Sequence, residues 1–160
     1  MPRRLLRSVR HLAVALPLLA TAACASDRPT APITTVEETT FAPALNVDLA
    51  ASTPLQGGVY ARDLTVGEGD AVGPQSTVTV NYTLWLSNGQ QMQAGTIADP
   101  PLRLGNSEAI RGFEIGLVGM QVGGRRQILI PPDYGYGVRG NGPIPSFAVL
   151  VFQVELLSVE

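Results

Sequence analysis

The sequence contains no lysine, one histidine, one cysteine and one tryptophan. Each scarcity removes a class of chemistry. The single cysteine, Cys24, has no partner for an internal disulfide. The single histidine, His11, lies in a basic, apolar leader. The remainder of the chain therefore offers no imidazole, and neither a metal site nor a thiol- or histidine-dependent catalytic site is expected. No cofactor is expected either. All eleven basic residues are arginines, and four of them (Arg3, Arg4, Arg7, Arg10) fall in the first ten positions. Beyond Cys24, seven arginines face thirteen carboxylates, a net of −6. An acidic body is a poor match for phosphate backbones, so nucleic acid is set aside as a partner.

What is present is apolar and heavily punctuated. Apolar residues make up 45% of the 160 positions, enough for the core of one ordinary domain. Seventeen glycines and thirteen prolines point to short strands and turns more than to long helices.

The first 24 residues, "MPRRLLRSVRHLAVALPLLATAAC", have a basic start, an apolar stretch from Leu12 to Ala20 and small residues after it. This is the layout of a secretory signal, and the apolar stretch is short for a permanent membrane span. "TAAC" resembles a bacterial lipobox, with Cys24 as the lipidated residue and Thr21 where a larger apolar residue is usual. Ordinary cleavage after "ATA" or "ACA" is the rival, and the latter would discard Cys24. Either route takes the protein out of the cytoplasm, to a bacterial cell envelope, lipid-anchored or released. Residues 25–55 are rich in Thr, Ala and Pro and lack periodicity. They are expected to form a flexible tether, with a transient turn around Phe41 to Leu49.

From Gly58 the turn signals become regular, and residues 56–160 are expected to form the domain. "VYARDLTV" (59–66) alternates. "STVTVNYTLWL" (76–86) places Val78, Val80, Tyr82, Leu84 and Leu86 on one face and Thr77, Thr79, Asn81, Thr83 and Trp85 on the other. Trp85 is thus expected as a surface or cross-strand aromatic. "SNGQ" (87–90) signals a hairpin, "QMQ" starts the return strand, and "PLRLG" (101–105) is a separate extended piece. Within "SEAIRGFEIGLVGM" (107–120), Ile110, Phe113, Leu117 and Met120 follow helical spacing, with Ser107 as a candidate cap. Gly112, Gly116 and Gly119 weaken that helix, so packing must hold it. "RRQILIP" (125–131) and "FAVLVFQVELLSV" (147–159) complete the strands, with Arg125 and Arg126 at a solvated strand end. The whole is an α+β domain.

Three blocks, "AIRGFEIGL", "PPDYGYG" and "LVFQVELL", occur in this order within a longer match from about Gly58 to Glu160. They resemble the FKBP-type peptidyl-prolyl cis-trans isomerases. The resemblance implies an antiparallel sheet of five to six strands wrapped around one short helix. It also implies an apolar bowl for X–Pro segments. Tyr82, Ile110, Tyr136 and Phe152 match the family's central site positions, with the Ile110 N–H and the Tyr136 hydroxyl directed at substrate. Met92, Gln93, Ala109, Phe113 and Ile144 match the positions that line its wall and floor. Gln93 stands where a carboxylate is usual, Phe113 where a tryptophan is, Met92 where a phenylalanine is, and Pro100 where many members have an aromatic.

The residues also admit plainer roles. Tyr82, Met92, Ile110, Phe113 and Phe152 would fill a core in any fold of this class. Tyr136, flanked by glycines in a loop, suits a core least. In "PPDYGYG", Asp133 is expected to organise the turn and Tyr134 to pack with its hydroxyl bonded to a neighbour. Two functions follow from the resemblance: an isomerase assisting the folding of extracytoplasmic proteins, and a non-catalytic proline-segment binding module on the same fold. It further implies macrolide ligands and a monomer. The loop from Gly137 to Phe147 is too short for an inserted chaperone flap.

Overall fold

The structure, a computed structural model, describes residues 34–160. The signal-like segment, Cys24 and the first part of the expected tether lie outside the described residues. Six strands form one sheet: β1 (Thr53–Pro54), β2 (Tyr60–Thr65), β3 (Thr77–Leu86), β4 (Gln91–Arg103), β5 (Arg125–Ile130) and β6 (Leu150–Val159). Their order is β1-β2-β5-β6-β3-β4, and every neighbouring pair is antiparallel. One helix, α1 (Arg111–Leu117), lies against the inner face. This is the expected α+β architecture.

Alternation decides which face each strand buries. On β3, Val78, Val80, Leu84 and Leu86 are buried, while Thr77, Thr79, Asn81, Thr83 and Trp85 are half-buried on the other face. Leu150, Phe152, Val154 and Leu156 of β6 and Ile128 and Ile130 of β5 join the same inner core. The "PLRLG" segment is not a separate piece. It ends β4, whose ladder with β3 jumps from Val80–Ile97 to Val78–Leu102. The intervening residues 98–101 bulge from the ladder, because Pro100 and Pro101 have no N–H to give it.

The helix begins later than its cap signal suggested. Its N-cap is Ile110, with no side-chain cap bond, and Ser107 sits at φ 59° outside it. Packing compensates. Phe113 and Leu117, one turn apart, are buried, and Gly112 and Gly116 let the helix lie directly on Ile130 and Ile128.

Arg126 corrects the expectation of a solvated strand end; only Arg125 is exposed. The Arg126 guanidinium is buried and holds Asp63 of β2 through two bonds of 2.6 and 3.1 Å. Its Nη1 donates to the carbonyls of Gly116 (3.0 Å) and Val118 (3.1 Å). A cation here satisfies carbonyls left open at the helix C-terminus and opposes its dipole.

The described part of the expected tether, residues 34–55, is also not free. Val36 (0% exposed) and Leu45 (4%) form a second core with Leu129, Val149 and Val151 on the outer face of the sheet. Trp85 packs against this core as well, opposite Val151 on β6, so of its two expected roles it takes the cross-strand one. The Gln127 side chain donates to the Leu45 carbonyl (2.8 Å), Arg62 to the Asn46 carbonyl (2.6 Å) and the Ala42 N–H to Ser87 O (2.8 Å). The physical reason is a sheet apolar on both faces: without the arm, Trp85, Leu129 and Val151 would stand in water. Among the described residues no helix is long and apolar enough to cross a membrane.

Candidate functional site

A concave cavity of about 200 Å³ opens between the inner face of the sheet and the start of α1. Strands β3 and β6 supply Tyr82, Leu84 and Phe152, and β4 supplies Gln93 and Ile97. The turn before α1 supplies Glu108, Ala109 and Ile110, the helix supplies Phe113, and the loop after β5 supplies Tyr136. Register explains the gathering. Leu84 faces Gln93 on one side and Phe152 on the other, so all three point inward.

Three aromatic rings make the floor. Phe113 and Phe152 have centroids 4.9 Å apart, tilted by 56°. Tyr82 stands 6.2 Å from each, edge-on to Phe113 at 71°. These are favourable ring geometries that leave an apolar surface exposed to the cavity. Burial pushes the Tyr82 phenol above its ordinary pKa, the neighbouring Tyr136 adds to this, and the Gln93 side chain partly opposes it.

Hydrogen-bonding groups line the same wall. Among the described residues, neither the Ile110 N–H nor the Tyr136 hydroxyl has a protein partner. The Ile110 carbonyl is already used, by the N–H groups of Phe113 and Glu114. Ile110 is therefore fixed by the helix it begins, with its N–H left open.

The "PPDYGYG" loop holds Tyr136 by backbone bonds. Pro132–Tyr134 forms a 3₁₀ turn, and the N–H groups of Gly135 and Gly137 both donate to Pro132 O at 2.9 Å. Gly137 adopts φ +57°, where a side chain would be strained. Asp133 is exposed and makes no side-chain bond among the described residues, so the backbone and not this carboxylate organises the turn. The Tyr134 ring packs on Gly57, with the Arg111 guanidinium 5.3 Å from its centre. Its hydroxyl has no protein partner among the described residues, so packing alone holds the ring.

Of the nine residues expected at the bowl, Tyr82, Gln93, Ala109, Ile110, Phe113, Tyr136 and Phe152 meet at the cavity. Met92 and Ile144 do not line it. Met92 falls where the β3–β4 register shifts between Leu84–Gln93 and Trp85–Gln91, and it packs into the core beside the site. Ile144 is buried in the core under its loop. Leu84, Ile97 and Glu108 were not anticipated. Leu84 was within reach, two residues from Tyr82 on one face. Ile97 was hidden by the proline bulge, and Glu108 is an exposed residue of an irregular turn. Among the described residues, no three His, Cys, Asp or Glu side chains cluster to hold a metal ion.

The site is thus a small aromatic cup with open donors on its wall. The family model described as FKBP-type peptidyl-prolyl cis-trans isomerase matches residues 69–157. An FK506-binding protein from Neisseria meningitidis is 41% identical over 106 residues, covering 64% of this chain and 97% of that protein. A peptidyl-prolyl cis-trans isomerase from Saccharomyces cerevisiae is 37% identical over 107 residues, covering 66% of this chain but 26% of that protein. Among solved structures, a peptidyl-prolyl cis-trans isomerase from Pseudomonas syringae superposes with a TM-score of 0.60 at 29% identity, covering 69% of this chain and 81% of that one. The chain belongs to the FKBP-type peptidyl-prolyl cis-trans isomerase family, and is an isomerase of that type.

Proposed function

We propose that the aromatic bowl is where an X–Pro amide is turned. The observation that carries this reading is the pairing of an apolar floor, Phe113 with Phe152, with two unpartnered donors, the Ile110 N–H and the Tyr136 hydroxyl. A planar amide is held by resonance, with a rotation barrier of about 18–20 kcal/mol. Rotation breaks no covalent bond and needs no nucleophile or general base. As the amide twists, resonance is lost and its carbonyl becomes less dipolar. The apolar cup tolerates that form better than the planar one, and the positioned donors hold the substrate carbonyl while the C–N bond turns. Each tenfold acceleration requires about 1.4 kcal/mol of barrier lowering. The pyrrolidine ring sits over Phe113, Tyr82 and Phe152 close the sides, and Gln93 and Ala109 border the entrance. Met92 and Ile144 support the wall from the core behind it.

The same cup suits the macrolide that names the Neisseria relative, which would compete with X–Pro segments of client polypeptides. In this reading the protein acts as a monomer. The basic, apolar leader supports export, and the lipobox-like "TAAC" supports attachment through Cys24, with residues 25–33 joining anchor to domain. In this reading the protein assists the folding of proteins outside the cytoplasm.

Titrating an X–Pro peptide into labelled protein tests the site. The backbone amides of Ile110 and of the 134–137 loop are expected to shift first and furthest. Shifts confined to the outer face of the sheet would overturn the assignment. For the anchor, cells fed labelled palmitate should label the full chain but not a Cys24→Ala variant. Unlabelled protein released to the medium would refute lipidation while leaving export standing.

A further inference from the structure

Of the ten residues lining the bowl, one carries a formal charge at neutral pH: Glu108. It lies at the exposed rim, two residues before the open Ile110 N–H. Its carboxylate makes no close ion pair. Among the described residues the only ion pair within 4.0 Å is Arg126–Asp63, remote in the fold from this turn. Glu108 accepts only from neutral donors, the backbone N–H of Arg103 at 3.1 Å and the Asn106 side chain at 3.4 Å. The nearest arginine after it in sequence, Arg111, is placed over the Tyr134 ring. The rim thus presents a carboxylate with no ion-pair partner within 4.0 Å beside an otherwise uncharged cup.

We propose that Glu108 makes the site selective for the charge of the residue adjoining proline, favouring X–Pro segments flanked by lysine or arginine over those flanked by aspartate or glutamate. This rests on the bowl being the site of turnover. A proline seated on Phe113 with its carbonyl held by the Ile110 N–H leaves its flanking residues at the rim, where Glu108 stands. An attractive pair forms there with a cationic side chain, and two carboxylates repel. Because the rim is exposed, solvent weakens the effect, and the expected preference for lysine over glutamate is about two- to fivefold in kcat/KM at low salt. Steering of the encounter acts in the same direction and is also lost with salt.

The test uses the full chain and peptides with lysine, leucine or glutamate placed in turn before and after one proline. Exchange rates are followed by NMR. The expected order is lysine above leucine above glutamate in at least one of the two positions. The spread should contract in about 1 M salt, where screening acts over ~3 Å. It should collapse in Glu108→Gln and invert in Glu108→Lys, each read as a ratio within one variant. A flat series in the wild type, or an order unchanged in both variants, overturns the proposal. Failure to turn over even the leucine peptide would instead remove the bowl as the site of turnover, and this inference with it.

Discussion

Replacing Gly116 by alanine sets helix propensity against packing. Propensity favours the change, since alanine is better than glycine in a helix interior by about 1 kcal/mol. Packing opposes it. A Cβ at position 116 would overlap Ile128 Cγ2, lie 2.6 Å from its Cδ1 and 3.0 Å from its Cγ1. Optimal carbon contacts are about 3.5–4.0 Å, so a shift approaching 1 Å is needed. Ile128 is fully buried, on the strand held between β2 and β6. Overpacking of this kind typically costs about 1–3 kcal/mol, and more where the backbone must move. Packing should therefore win, with a net loss of about 1–2 kcal/mol and a fall in Tm of roughly 3–10 °C. Urea denaturation followed by tryptophan fluorescence and by circular dichroism would read it. Gly112→Ala should behave alike, because its Cβ would meet Ile130 and the Tyr134 carbonyl. Stabilisation in either variant would mean that the helix does not lie directly on β5, and the placement of Phe113 and Ile110 would fall with it.

Three further outcomes follow from the same contacts. Leu45→Ala should cost about 2–5 kcal/mol in urea denaturation if the arm is part of the domain, capped by the free energy of docking the arm; a change within about 0.5 kcal/mol would return residues 34–55 to a tether. Arg126→Ala should cost about 2–4 kcal/mol, less than for a fully buried pair because Asp63 is 39% exposed, while Arg125→Ala should stay within about 0.5 kcal/mol; equal losses would refute the clamp on the helix terminus. Tyr82 should ionise above the free-phenol value of 10.0, mainly through burial, as read from labelled tyrosine ring carbons. Its folded-state pKa is raised, so its contribution to stability is complete below the unfolded pKa and is lost as pH rises through the alkaline range; ionisation at or below 10.0 would contradict its burial.

Much of this architecture was legible because period-two alternation names a strand and its buried face at once. The inner residues of β3 fell where alternation put them, as did the helical pair Phe113 and Leu117. The misses share a cause: each depends on a partner distant in sequence. The arm has no period of its own and is ordered by Leu129, Val149 and Val151, some eighty or more residues away. Arg126 reads as one of two solvent-facing arginines until Asp63 and the end of α1 are brought to it. Ile97 and Met92 are displaced by a bulge and a register shift, and alternation cannot be carried across either. The site was visible through the family resemblance carried by "AIRGFEIGL" and "PPDYGYG", whereas the rim carboxylate of Glu108 mattered only once the fold placed it at the bowl without an ion-pair partner.

The central claim, that an X–Pro amide turns in the aromatic bowl, is tested most directly by exchange spectroscopy on one leucyl-prolyl peptide. The wild-type chain would be compared with a Tyr136→Phe, Phe113→Leu double variant whose folding is first verified by circular dichroism. Loss of one neutral hydrogen bond and one ring of the aromatic floor is expected to slow exchange by about tenfold or more, with the variant still folded. Equal acceleration by wild type and folded variant would contradict the account and place the chemistry elsewhere on the domain.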